Sequence, residues 1–216
     1  LALYLDRTEE TWTEIFTTYR EKIYLRSIRR SQSFRSNVFW LDMFEKTHKR
    51  VKETNINIGT GVNKFLEKFR EFCYDRDRLN NTDWLHGDLH FANMFYDLHY
   101  RELKMIDPRG DLCGDLFYDL AKLNHSVNGN YDCIDNQLYY FDQNGEVKYF
   151  MNERRGIVDA FEKMLVDVGL SEQDRRDLNL VTASLFLSMI PLHFHNTTNQ
   201  RLFYSEFERF FSLYTS

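Results

Sequence analysis

The chain has 216 residues, 43% of them apolar and 16% aromatic, which is enough for one domain with a sizeable core and excludes a disordered polymer. Its formal net charge of −5 argues against nucleic-acid binding through a general basic surface. Three cysteines, Cys73, Cys113 and Cys133, are too scattered for a disulfide framework or a zinc spacing and point to a reducing, cytoplasmic compartment.

In chain order, residues 9–28 read as a helix, with Trp12, Ile15, Phe16, Tyr19 and Ile23 on one face. Arg26, Arg29, Arg30 and Arg35 follow among serines, either a solvated helix end or an anion contact. A second helix spans 36–53 and ends in the basic run His48-Lys49-Arg50, placed to complement a helix C-terminal dipole. Gly59-Thr60-Gly61 lacks the strand and further glycines of a nucleotide loop and reads as a turn. It leads into an amphipathic helix carrying Val62, Phe65, Leu66, Phe69 and Phe72.

Met94-Phe95-Tyr96 and Leu103-Lys104-Met105-Ile106 read as the arms of a hairpin, and 115–127 as a helix with Leu116, Leu120 and Leu123 inward. Asn144-Gly145 between two aromatic runs signals another hairpin; its tyrosines either pack or form a pocket for a cationic ligand. The remainder is helical: a segment around Ile157 to Val168 closed by Gly169, a capping-box start at Ser171 and Asp174, and a last helix with Phe203, Phe207 and Phe210. The longest apolar run, near Leu185 to Leu192, is too short for a membrane span and contains Ser188 and Pro191.

The chemistry concentrates between His86 and His125. His86-Gly87-Asp88-Leu89-His90-Phe91-Ala92-Asn93 supplies a carboxylate and, five residues on, a carboxamide; Met105-Ile106-Asp107 returns a second carboxylate. Oxygen ligands of this kind suit Mg²⁺, which binds through one or two protein groups and substrate phosphates. Asp88 is then free to accept a proton from an attacking hydroxyl. With Gly114-Asp115-Leu116-Phe117-Tyr118-Asp119-Leu120-Ala121, the ordered segments resemble the aminoglycoside phosphotransferase and choline kinase family, whose fold is protein-kinase-like. The run from Ile106 to Leu123 also resembles phosphotransferases linked to bacterial surface-polysaccharide synthesis.

That resemblance implies an α+β, predominantly helical C-terminal kinase lobe with small hairpins, and a small-molecule O-phosphotransferase. ATP or GTP with Mg²⁺ would donate to a hydroxyl of a sugar, a choline-like amino alcohol or an aminoglycoside-like acceptor. It implies Asp88 as base, Asn93 and Asp107 as metal ligands, and His86, Asp115 and Asp119 as support. His90 would either contact phosphate or substrate or brace the loop, and Arg109 would meet a phosphate, a substrate anion or an ion-pair partner. His125, His193 and His195 read as packing or surface residues. Residues 1–75 show no strand, glycine-rich turn and strand, and the chain begins at Leu1, so the nucleotide lobe is expected upstream. The rivals are a protein Ser/Thr kinase, against which Gly87 and His90 count, and a catalytically incomplete scaffolding module.

Overall fold

A computed structural model describes residues 8–28, 36–75, 81–109, 113–150 and 155–216. Arg29, Arg30 and Arg35, singled out in the sequence, lie outside them.

Helix α1 (Glu9–Tyr19) starts at Thr8, whose hydroxyl accepts from the Thr11 amide. A π turn (Arg20–Tyr24) joins it to α2 (Leu25–Ile28), so the expected helix contains one widened turn. That turn keeps Tyr19 and Tyr24, a spacing no α-helical face would accommodate, both buried. Helix α3 (Ser36–Glu53) buries Trp40, and α4 (Gly61–Asp75) buries Val62, Phe65, Phe69 and Phe72.

The short strand β1 (Asn81–Thr82) leads into the His86 loop. Beyond a 3₁₀ turn (Phe91–Asn93), β2 (Met94–Asp97) pairs antiparallel with β3 (Glu102–Met105), Met94 opposite Met105. Strand β4 (Gly114–Asp115) pairs with β1, Thr82 opposite Gly114, and delivers α5 (Leu116–Val127) beside the loop.

Helix α6 (Tyr131–Asp135), which the sequence reading does not foresee, precedes the hairpin β5 (Tyr139–Phe141) and β6 (Val147–Tyr149). Tyr139 donates its hydroxyl proton to Asn199 Oδ1, so the hairpin packs on the last helix. Then come α7 (Arg155–Asp167), α8 (Glu172–Met189) and α9 (Thr197–Thr215). The capping box at α8 is complete: Ser171 accepts from the Asp174 amide, and the Asp174 carboxylate accepts from the Ser171 amide.

The result is an α+β chain, predominantly helical, whose sheets among the described residues are three two-stranded pairs. Every residue of α5 is buried, and the helix packs against α8, itself paired with α9. Phenylalanines fill the space around them, Phe65 meeting Phe207 edge-on with ring centres 5.1 Å apart. Each such ring contributes about 1.5–3 kcal/mol by leaving water. A helix buried all round normally carries apolar residues only. Asp119, Lys122, Asn124, His125 and Ser126 in α5 therefore require an explanation. No helix among the described residues is long and apolar enough to cross a membrane.

Candidate active site

The loop from His86 to Asn93 is fixed from two sides. On one side it is laced to the strand end that carries Asp107. His86, buried and neutral, donates from Nε2 to the Ile106 carbonyl at 2.9 Å and accepts the Asp88 amide on Nδ1 at 3.3 Å. Burial lowers its pKa, against the pull of the Ile106 hydrogen bond. The Arg109 amide donates to the His86 carbonyl at 2.8 Å. Gly87 turns the chain at φ +73°, and a Cβ there would lie 3.2 Å from Arg109 Cβ.

On the other side stands α5, whose buried polar residues form one stripe. Asp119 accepts the amides of His86 and Gly87 at 2.9 and 2.8 Å, Lys122 Nζ lies 2.9 Å from Asp88 Oδ1, and Ser126 Oγ accepts the Phe91 amide at 3.3 Å. Spacings of three and four place these side chains on one helical face, directly beneath the loop. Asp115 caps the same helix through the Phe117 amide and accepts the Trp40 indole N–H at 2.9 Å, tying α3 to the assembly. Burial pushes the Asp119 pKa up to about 7, against its two amide donors. Asp88 ends lower than its ordinary 3.8: burial raises it, but the Lys122 ammonium, then Arg109 and His90, outweigh that penalty.

Asp88 is three-quarters buried, and its two oxygens face different groups. Oδ1 meets Lys122 and, at 3.9 Å, Arg109; Oδ2 lies 3.9 Å from His90 Nε2. Asn93 spends its amide group on the Asp88 carbonyl at 2.9 Å and on His90 Nε2 at 3.2 Å. His90 is wedged against Tyr131, with Nδ1 3.5 Å from Asp132 Oδ1. Asn93 Oδ1 thus remains free of protein donors among the described residues. The Ile106 amide donates to the Asn93 carbonyl at 3.0 Å, so the hairpin returns Asp107 to the Asn93 end of the loop. Asp107 is exposed and adopts φ +56°, a costly conformation for a non-glycine residue that is enriched at functional sites. A carboxamide oxygen with a carboxylate fits a hard cation that keeps further ligands from water or phosphate. No group of three or more His, Cys, Asp or Glu side chains arranged to hold a metal occurs among the described residues.

Sequence reasoning overlooked Lys122, Ser126, Asp132 and Lys46. The stripe Asp119, Lys122, Ser126 was visible as a polar period inside an apolar helix; Asp132 had no local signal because α6 itself was not foreseen. Arg50 departs from its expected place as well. Rather than only serving its own helix end, it reaches the last turn of α8, donating to the Ser188 carbonyl at 3.3 Å. Lys46, Arg50, Arg109 and Lys122 line one cavity between α3, α5 and α8. His125 is fully buried between Tyr131 and Phe186, ring centres 4.2 and 4.0 Å away, with neither nitrogen hydrogen-bonded among the described residues. His193 faces Asp135 at 3.5 Å. Comparisons of the chain with protein-family models, with curated proteins and with solved structures gave no match.

Proposed function

We propose that this chain is the helical lobe of a kinase-like O-phosphotransferase acting on a small hydroxyl acceptor, with ATP or GTP as donor. The single observation that carries the reading is Asp88 itself: an ionised, largely buried carboxylate on a loop held by Asp119, Lys122, Ser126 and His86, with Asn93 tied to its own carbonyl. A carboxylate fixed in this way costs no reorganisation when a substrate hydroxyl arrives.

The acceptor O–H donates to Asp88. As the acceptor oxygen bonds to the γ-phosphorus, the bond from that phosphorus to the bridging oxygen breaks, and the nucleoside diphosphate leaves with the electron pair. The proton passes to Asp88 and then to solvent. A low pKa makes Asp88 a weak base, which suits a loose transition state where orientation matters more than early proton removal. Asn93 and Asp107 are the residues that would hold Mg²⁺, which supplies charge neutralisation at the transferred phosphate. His90 positions the Asn93 amide by accepting its N–H, which leaves Oδ1 out of that contact. Lys122 keeps Asp88 ionised and aimed.

The test is acceptor-dependent ADP release, with sugars, choline and aminoglycosides, by the 216-residue chain and by the product of the complete reading frame that contains it. Asn93→Ala and Asp107→Ala should each raise the Mg²⁺ concentration needed for half-maximal rate at least tenfold. ADP release that is indifferent to both substitutions would remove these residues from the metal site; no release with any acceptor would favour the scaffolding module.

A further inference from the structure

The cavity beside Asp88 has a chemical bias that an acceptor site for aminoglycosides or choline would not need. It opens between α3, α5 and α8, with about 420 Å³ of unfilled space including its mouth. Lys46, Arg50, Arg109 and Lys122 line it, together with the hydroxyl residues Thr47 and Ser188; no carboxylate is among the lining residues. The nearest acid is Asp88, whose Oδ1 pairs with Lys122 and faces Arg109. Asp88 faces two of the four cations and Glu53 acts on Arg50, so cations still outnumber carboxylates around the cavity.

These cations are not placed by chance exposure. Lys122 is almost fully buried, Lys46 and Arg50 are half-buried, and no ion pair joins either of the latter to a carboxylate at contact distance among the described residues. Like charges gathered in a partly dry space repel, and burial together with Arg109, Arg50 and Lys122 brings the Lys46 pKa down to about 8. An arrangement that costs the free protein stability is relieved when an anion enters. The cavity also lies on the Oδ1 side of Asp88, whereas His90 and the Asn93 amide lie on the Oδ2 side. Neither Asn93 nor Asp107 is among its lining residues; Arg109, which is, stands two residues beyond Asp107 in the chain.

We propose that this cavity is an acceptor subsite for an oxyanion, and that the acceptor is a hydroxyl compound already carrying a phosphate monoester. The assignment rests on the phosphotransferase reading, and it narrows that reading from neutral or cationic acceptors to an anionic one. A net positive surplus from four lining cations matches a dianion better than a carboxylate, and Arg50 and Arg109 provide the planar donors that grip phosphate oxygens. With the anion anchored there, a hydroxyl elsewhere on the same molecule reaches Asp88, and transfer yields a bisphosphorylated product and ADP.

Calorimetry on the 216-residue chain tests the subsite without requiring turnover, using glucose 6-phosphate, glucuronate, glucose and choline as probes. Glucose 6-phosphate should bind at least tenfold tighter than glucose or choline, and tighter than glucuronate. Lys46→Gln and Arg50→Gln should each weaken it about tenfold. Arg50→Lys, which keeps the charge, should restore part of the loss, and Lys64→Gln on the exposed face of α4 should change nothing. Equal binding of glucose and glucose 6-phosphate would overturn the subsite, as would indifference to both glutamine variants. Glucuronate binding as tight as glucose 6-phosphate would overturn the phosphate assignment. Displacement of glucose 6-phosphate by Mg·ADP would give the cavity to the donor and overturn its acceptor role. None of these results touches the Asp88 mechanism, which stands or falls on acceptor-dependent ADP release.

Discussion

Replacing Lys122 with Met removes the cation under Asp88 while keeping most of the volume of its stem. At 2.9 Å and an effective dielectric of about 20, the lost attraction is about 6 kcal/mol gross. Most of that is offset because Lys122 itself no longer has to be desolvated. Breaking a buried pair leaves an uncompensated charge, typically at a cost of 3–5 kcal/mol. Asp88 retains 24% side-chain exposure, so water recovers part of its solvation and the expected loss is about 2–3 kcal/mol at pH 7. The sign with pH is the decisive part. In the wild type the Asp88 pKa lies below 3.8, so the pair contributes stability above that pH and loses it as pH falls through the folded value. In Lys122→Met burial is no longer outweighed and the folded pKa rises, so the carboxylate opposes folding at neutral pH and ceases to do so once protonated. Urea unfolding of both proteins at pH 7.0, 5.5 and 4.0 should show the gap narrowing on acidification. A gap of the same size at all three values would mean that Lys122 acts by packing alone and would refute the charge argument.

Further outcomes follow from other contacts. Asp119→Asn presents an NH₂ to one of the two amides it now accepts, and should cost about 1–3 kcal/mol and speed hydrogen exchange at His86 and Gly87; unchanged exchange there would contradict the pinning role. His125 is held neutral by burial, its pKa well below 6.5, so the unfolded chain takes up a proton that the folded one refuses. Stability should therefore rise with pH up to about 6.5, with a slope of up to about 1.4 kcal/mol per unit below it, and His125→Phe should flatten this slope in unfolding curves from pH 5 to 7. Gly114→Ala would put a Cβ 2.6 Å from Leu85 Cδ2 and 3.0 Å from Phe39 Cε2, forcing apart β4 and α3. A loss of about 1–3 kcal/mol is expected in thermal unfolding, and no loss would show that the two side chains give way freely.

What could be read from the sequence was what local chemistry dictates. The Ser171–Asp174 capping box, the Asn144-Gly145 hairpin and the helix ended by Gly169 at φ +82° all depend on neighbouring residues, and all three are present. The apolar faces of α1 and α4 were equally visible, because helical spacing makes burial periodic, whereas on α3 the fully buried residue is Trp40 and Val38, read as apolar face, is exposed. The π turn at Arg20–Tyr24 was not, since it is set by where Tyr19 and Tyr24 must both pack. At the site, Asp88, Asn93 and Asp107 stood out through their order and spacing. Lys122 and Lys46 did not, because a lysine in a helix reads as solvated until the packing shows that its face is inward. The basic cavity is a property of three helices distant in sequence, and no window of the chain contains it.

The most direct measurement of the central claim is transfer of label from [γ-³²P]ATP to an acid-stable phosphate ester, by wild type and by Asp88→Asn. It is to be made on the product of the complete reading frame that contains these 216 residues, with glucose 6-phosphate and neutral sugars as acceptors. An ester should form, at a rate that falls by about 10²–10⁴ in Asp88→Asn while nucleotide affinity stays within a few fold. Label transfer at an undiminished rate in Asp88→Asn would contradict the claim.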